Sequence, residues 1–489
     1  MISAMGRDAP VTPAPLALRG PGAICLVSCY ELGHVPAGLS MPLAFLERAG
    51  FAPACLDLAV EAFDEARLGR ARLIAISVPM HTALRLGLRL VERIRALNPT
   101  ALLCFHGLYA QLNRELLFAR GADYIIGGEG EATLVELAEA LERGEAIPAG
   151  VSVPGRPAAA RLVKLDFPMP TPTPAHGALP SRDRYAKLQL AGETRLTGYV
   201  EASRGCRHVC RHCPITPVYR GRFFVVPQAV VLEDVEAQIA AGARHITFGD
   251  PDFWNGPGHA EAIVRELHRR HPQVSYDATI KIEHLLSFRE RVPTLVETGC
   301  VFVTSAVESL SDLVLERLAK GHKATDVREA FDLCDSAGLP LRPTWVPFTP
   351  WTTAADFAEL LRFIDERDLA EQVDPVQLSL RLLIPPGSAL LEIAIPGLGL
   401  LREETLSYGW THPDPRMDEL QREIRATVER LSAQPAREVF QSIWGAASER
   451  LGLEPPPPAR PSQRVKPPRL TESWFCCAEP TDDQFGSVV

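Results

Sequence analysis

The chain has 489 residues, 46% hydrophobic and 23% charged, with a formal net charge of −9. That length accommodates two or three domains of ordinary size, and the acidic balance argues against a broad phosphate-binding surface and so against a nucleic-acid partner. No stretch approaches the roughly 18 apolar residues of a membrane helix. Residues 1–20 lack the basic start and compact apolar run of a secretion signal, so the expected compartment is the cytoplasm, with no membrane partner.

After an N-terminal extension (1–21), residues 22–150 alternate between short apolar runs and amphipathic stretches. Strands are predicted at 23–29, 53–58, 73–78, 101–107 and 123–128, with helices between them at 41–50 and 83–98 among others. Near-continuous apolar strands alternating with helices predict a doubly wound, Rossmann-like α/β domain with ligands at the carboxyl ends of its strands. Residues 151–195 carry a proline run (168–180) and read as a linker. A second βα series occupies 196–400, with strands predicted at 197–203, 245–250, 274–280, 300–308, 339–346 and 376–383. Six such strands predict a partial (β/α)6 barrel. Residues 401–453 are helical in pattern, and 454–489 form a proline-rich spacer and tail.

Eleven cysteines are unevenly placed. Cys25, Cys29, Cys55, Cys104, Cys300 and Cys334 are scattered through apolar segments and read as small buried hydrophobes. Cys206, Cys210 and Cys213 lie on one short loop directly after the first strand of the second series. Three thiolates on such a loop can hold three irons of a [4Fe–4S] cubane and leave the fourth iron without a protein ligand. An open iron suits chelation of S-adenosylmethionine (SAM), whose carbon–sulfur bond an electron from the cluster can cleave. The alternative is a Cys3His zinc knuckle using His208 or His212. Arg204, Arg207 and Arg211 flank the loop and either offset the cluster's negative charge or are solvated.

RGCRHVCRHC (204–213) after a strand resembles the radical SAM superfamily, with the aromatic His212 before the last cysteine. FGDPDF (248–253), VTSAVESLSDLVLERLAKGH (303–322) and LLIPPGSAL (382–390) resemble strand-end segments of its subfamily with an N-terminal cobalamin-type domain. The resemblance implies that His212, Asp250, Glu308 and Ser309 approach SAM. It departs from the subfamily in lacking a glycine before Glu308–Ser309, where Ser305, Ala306 and Val307 stand.

Residues 98–141 resemble the cobalamin-binding domain of that subfamily, through Gly107 and the GGEGE-x-T turn (127–133). Glycines at 127, 128 and 130 permit close approach of backbone to a large planar ligand. The cobalamin-binding positions implied are Gly33, Ser77, Gly107, Gly127, Gly128 and Gly130. The D-x-H-x-x-G signature of an axial histidine is absent, since that segment reads SCYELGHVPAG (28–38) and offers His34 at another offset. Two readings follow: cobalamin held without a protein histidine, or a domain that has lost the cofactor.

The tail ends in WFCCAEP (474–480). Adjacent Cys476 and Cys477 can form only a strained ring disulfide, which favours use as two thiolates for electron relay, mixed-disulfide chemistry or binding of a soft element. The ending resembles the CUAEP/CCAEP-tail radical SAM (seleno)protein family. The expectation is an enzyme that cleaves SAM reductively and modifies a small-molecule substrate, with methyl transfer if cobalamin is bound and an electron donor such as ferredoxin or flavodoxin. Without cobalamin, group transfer to a thiophilic element is the alternative. A zinc-stabilised binding protein is the alternative from another class. A methylthiotransferase acting on RNA is disfavoured by the lack of a second cysteine triad.

Overall fold

The computed structural model describes residues 13–157, 171–458 and 467–472. The first domain is a six-stranded sheet of β1 (Ile24–Ser28), β2 (Ala54–Asp57), β3 (Leu73–Ser77), β4 (Leu102–His106), β5 (Tyr124–Ile126) and β6 (Val151–Ser152). Its order is β2-β1-β3-β4-β5-β6, parallel except for β6. Side chains alternate along each strand, so both faces need cover. Cys25, Val27, Ile74 and Ile76 enter one apolar core, and Ile24, Leu26, Leu73 and Ala75 enter another. The order reverses at β1, which opens a crevice at the carboxyl ends of β1 and β3. The five predicted strands and the doubly wound class stand as expected.

The second sheet runs β14-β13-β12-β11-β8-β7-β17. Its parallel part is β8 (Glu193–Val200), β11 (His245–Phe248), β12 (Ser275–Thr279), β13 (Cys300–Glu308) and β14 (Leu341–Trp345). Antiparallel β7 (Lys187–Leu190) and β17 (Arg469–Leu470) extend its edge, so the residues that follow each of the two proline-rich segments are built into sheet. A separate antiparallel ribbon, β9 (Ser203–Gly205) with β10 (Phe223–Val225), frames the cysteine loop.

Two expectations are corrected. The sixth strand predicted at 376–383 is a 3-10 turn over Pro375–Ser379, followed by one bridge between Phe348 and Arg381. Pro375 has no backbone donor, and the Gln377 side chain, not its backbone, accepts from Trp345 N at 3.0 Å. The helical pattern predicted from residue 401 starts later. β15 (Leu398–Arg402) and β16 (Ser407–Trp410) form a hairpin before the helices Pro415–Arg430 and Ala436–Leu451. Among the described residues no helix is long and apolar enough to cross a membrane.

A buried charge network joins the two domains. Arg204 in β9 pairs with Glu129, with Glu131 at 2.6 Å and with Glu201 at 2.9 Å. Glu129 and Glu131 belong to the turn after β5, and Glu129 also accepts from Tyr219 Oη. Burial pushes the Glu129 carboxyl up to about 7 against the pull of Arg204. A carboxyl raised in the folded state stabilises the fold less as pH rises from its ordinary value near 4.5 through about 7. Thermal melts of Glu129→Gln should therefore lose that decline while keeping the neutral contacts. A melting profile in that window unchanged from wild type would contradict the network as drawn.

Candidate radical SAM site

The cysteine loop is fixed at both ends. Gly205 has φ +74°, and a Cβ there would lie 2.3 Å from Tyr219 Cδ1 and 2.6 Å from the Arg222 carbonyl, so only glycine fits. Cys206 N donates to the Arg222 carbonyl at 3.1 Å, closing the ribbon on the loop's first side. On the other side Arg211 N donates to the Leu318 carbonyl at 2.9 Å. The Arg211 guanidinium caps the carbonyls of Glu316 and Arg317 at the end of the helix Asp312–Arg317. Cys206 and Cys210 are buried and Cys213 is half-buried.

Arg204 and Arg211 are not the cations beside the thiols. Arg204 serves the domain junction and Arg211 the helix end. Lys281 instead reaches Cys210 Sγ at 3.8 Å and the Lys320 carbonyl at 2.9 Å. Lys320, also buried, binds Glu308 Oε1 at 3.3 Å. Burial pulls the Lys320 ammonium down, but Glu308 and the thiols Cys210 and Cys213 outweigh it and hold it protonated. Burial pushes the Cys206 thiol up to about 11, so it needs a bound metal to ionise at neutral pH. Both lysines lie far from the loop in sequence; Lys320 falls in the 303–322 segment, whereas no sequence signal marks Lys281.

Glu308 and His212 are brought together. His212 Nε2 lies 3.3 Å from Glu308 Oε1. Glu308 ends β13 with φ +71°, where the β13–β14 register shifts. A non-glycine residue in that region carries strain of about 1–3 kcal/mol, which concentrates at functional sites. Burial pushes its carboxyl up, yet Lys320 and His212 more than reverse this and hold it at about 2. Ser309 is buried, and its Oγ accepts from Ser311 N at 3.1 Å. Asp250 has other work: its oxygens accept from Ser203 Oγ and from Ala202 N at 2.9 Å, which fixes the strand end that launches the loop.

The three loop thiols suit a cluster better than a single ion. A mononuclear zinc site needs sulfurs within about 4 Å of one another, and among the described residues the three cysteines do not form such a group. The zinc-knuckle alternative is therefore not supported by the geometry. The six scattered cysteines are all buried, as expected. Cys476 and Cys477 lie outside the described residues.

At the first domain's crevice, Gly33 and Gly128 have positive φ, and a Cβ on Gly107 would lie 3.2 Å from the Val78 carbonyl. Ser77 Oγ contacts Glu31 Oε1 at 3.4 Å. Gly127 packs against Gln111, and Gly130 precedes the helix Glu131–Arg143. His106 Nε2, buried at the end of β4, has no hydrogen-bond partner. The glycines at 33, 107, 127 and 130 pack against the chain's own atoms, so the observation here that fits a ligand with polar substituents is the orphaned His106 Nε2. His34 does not offer itself to that ligand, because its ring stacks on Tyr199 of the second domain at 4.9 Å.

Comparison with known proteins agrees with this geometry. Residues 200–364 match the radical SAM superfamily and residues 24–138 the B12 binding domain. The chain thus carries both domains, which mark it as an enzyme, and the [4Fe–4S] cluster, SAM and cobalamin are the cofactors that go with them. It is 30% identical over 211 residues to the ribosomal protein uS12 methylthiotransferase RimO of Cereibacter sphaeroides, covering 40% of this chain and 45% of that one. RimO of Geobacter sulfurreducens is 25% identical over 193 residues, 36% and 42% of the two chains. The chain spans less than half the length of these curated relatives. In fold it is similar to the cobalamin-dependent SAM radical enzyme OxsB, solved with aqua-cobalamin and SAM bound. That match has TM-score 0.67 and 15% identity, over 84% of this chain and 67% of the other. The radical SAM methyltransferase TsrM of Kitasatospora setae, solved with cobalamin and a [4Fe–4S] cluster, matches with TM-score 0.56 and 19% identity, over 71% and 73%.

Glu308→Gln should destabilise the chain by about 3–5 kcal/mol, because it strands a buried ammonium. In the wild type the contribution of this carboxylate is full above about 4.5 and drains away as pH falls toward about 2. Thermal melts of Glu308→Gln/Lys320→Met should recover most of the lost stability, while SAM binding by equilibrium dialysis stays impaired in both variants. Normal SAM binding in the stable double variant would show that the pair is structural only.

Proposed function

We propose that this chain cleaves SAM reductively at a [4Fe–4S] cluster held by Cys206, Cys210 and Cys213 and methylates a small molecule lodged between its two domains. The observation that carries the reading is one crevice lined by Tyr109 of the first domain, by His212 of the cysteine loop, and by Val346, Arg381, Leu382 and Pro385. It brings the edge of the B12-binding domain to the cluster loop. Arg381 is fixed there by Asp418 at 2.6 Å and by the ring of Trp410, with its guanidinium 3.5 Å from the ring centroid.

With a one-electron reductant of the ferredoxin or flavodoxin class, a cluster held by the three cysteines would supply the reductive chemistry that SAM cleavage needs. Cobalamin supplies a methyl carrier. The chain's own residues hold and shield these groups. The three cysteines would hold the cluster, Lys281 and Lys320 would offset thiolate charge, and His212, Glu308 and Ser309 would contact SAM. Asp250 acts on SAM only through the strand end it fixes. Ser77, Gly33, Gly107, Gly127, Gly128 and Gly130 would lie on the cobalamin side.

A second reading gives the Cys476–Cys477 pair a part in the reaction. Residues just before it are anchored where the two domains meet: Thr471 N donates to the Lys187 carbonyl at 2.9 Å, and Glu472 accepts from Tyr30 Oη at 3.3 Å and packs on Gly33. Cys476 follows Glu472 by four residues, a reach of at most ~14 Å. That favours thiols working at the domain junction, as a redox relay or as ligands of a thiophilic element. Methylthio transfer, the activity of RimO, draws support from sequence similarity alone, because the other six described cysteines are buried and none joins a metal-ligating group.

Anaerobic reconstitution with iron, sulfide and cobalamin, followed by desalting and SAM turnover, tests both readings. The expected result is about four irons per chain, retained cobalamin and SAM cleavage abolished by Cys210→Ala. Cleavage without retained cobalamin would overturn methyl transfer through that cofactor. Turnover unchanged in Cys476→Ser/Cys477→Ser would remove the tail from the reaction.

A further inference from the structure

A second group of metal-ligating side chains lies beside the cysteine loop. His208 stands between Cys206 and Cys210, Asp252 follows β11, and His284 lies in the helix Ile282–Ser287 after β12. Among the described residues these three form the one set of His, Cys, Asp or Glu side chains whose ligand atoms all lie within 4.8 Å of one another. His284 Nδ1 is 2.7 Å from Asp252 Oδ2, and His208 Nε2 is 3.6 Å from the same oxygen. One ion with donors at about 2.0–2.1 Å holds them roughly 3.3 Å apart in a tetrahedral shell, and the two distances bracket that value.

One hydrogen bond runs within the group, between His208 Nε2 and His284 Nε2 at 3.2 Å, and it leaves the side where Asp252 meets His284 unsatisfied. Asp252 is wholly buried and His284 is 3% exposed. Asp252 Oδ1 accepts from Trp254 N at 3.2 Å. Oδ2 accepts no hydrogen bond, and His284 Nδ1 has no hydrogen-bond partner despite lying 2.7 Å from it. The ring N–H direction is wrong for a bond between them. A buried carboxylate oxygen left in that state costs about 1–3 kcal/mol, whereas a cation accepting a lone pair from each atom satisfies both. Glu283 Oε2 lies 3.4 Å from His208 Nδ1 and 3.6 Å from Lys281 Nζ. A carboxylate at Nδ1 keeps the proton there and leaves the Nε2 lone pair for a metal.

We infer that His208, Asp252 and His284 bind one divalent d-block cation of the zinc or iron(II) class, separate from the cluster. Two imidazoles and a carboxylate suit such borderline cations better than magnesium or calcium. The ion ties the first half of the cysteine loop to the ends of β11 and β12. It therefore orders the loop before iron and sulfide arrive, and no thiol is spent on it.

The test uses the full chain with its cluster reconstituted from iron and sulfide, titrated with Zn2+ or Fe2+ and then desalted. The expected result is one added metal per chain beyond the cluster, with zinc X-ray absorption showing only nitrogen and oxygen ligands at about 2.0–2.1 Å. His284→Gln should abolish retention. Glu283→Gln, a change at a partly exposed side chain that leaves folding intact, should weaken zinc about 10–100-fold. A sulfur shell at about 2.3 Å would place zinc on the cluster cysteines and overturn the inference. So would failure of both metals to bind at one per chain, or unchanged zinc affinity in the two variants.

Discussion

Arg204 stands two residues before the first cluster cysteine and binds three carboxylates, two of them from the other domain. A buried guanidinium with fewer partners, or carboxylates without it, would be unstable by several kcal/mol. This pairing fixes how the turn after β5 meets the ribbon β9–β10, and hence where the cysteine loop lies relative to the first domain. The glycines of that turn, read from sequence as a ligand cradle, are interrupted by the two glutamates that clamp the domains. One short segment thus shapes the first domain's crevice and sets its distance from the loop.

From that junction the site is built in layers of compensated charge. Thiols that are costly to ionise when buried face Lys281 and Lys320, and Lys320 is held in turn by Glu308. Glu308 sits in a strained backbone conformation at the end of β13, so its carboxylate is aimed by the sheet and not by a flexible loop. His212 meets that carboxylate from the cysteine loop. Each group depends on a partner from a different strand end, as expected where a parallel sheet places chemistry at the carboxyl ends of its strands.

Much of this was legible in the sequence because the signal is local. β13 falls on the predicted residues 300–308, and the strands of the first domain follow from apolar runs that need no partner to be recognised. The cysteine loop is recognisable from spacing alone. The sixth strand failed because an apolar run, VQLSLRLL, looks the same whether its backbone pairs or a side chain such as Gln377 takes the hydrogen bond. The hairpin at 398–410 was hidden in a segment whose charges mimic a helix. Lys281, His284 and the true partners of Arg204 are long-range features, which composition and spacing do not reveal.

The proposed site has three thiolates holding a [4Fe–4S] cluster with one iron left for SAM. Electron paramagnetic resonance of the reduced, reconstituted full chain addresses it directly. The expected result is a [4Fe–4S]+ signal whose g values shift when SAM is added, and loss of the signal in Cys206→Ala. A spectrum indifferent to saturating SAM, or no cluster signal from the wild-type chain, would contradict it.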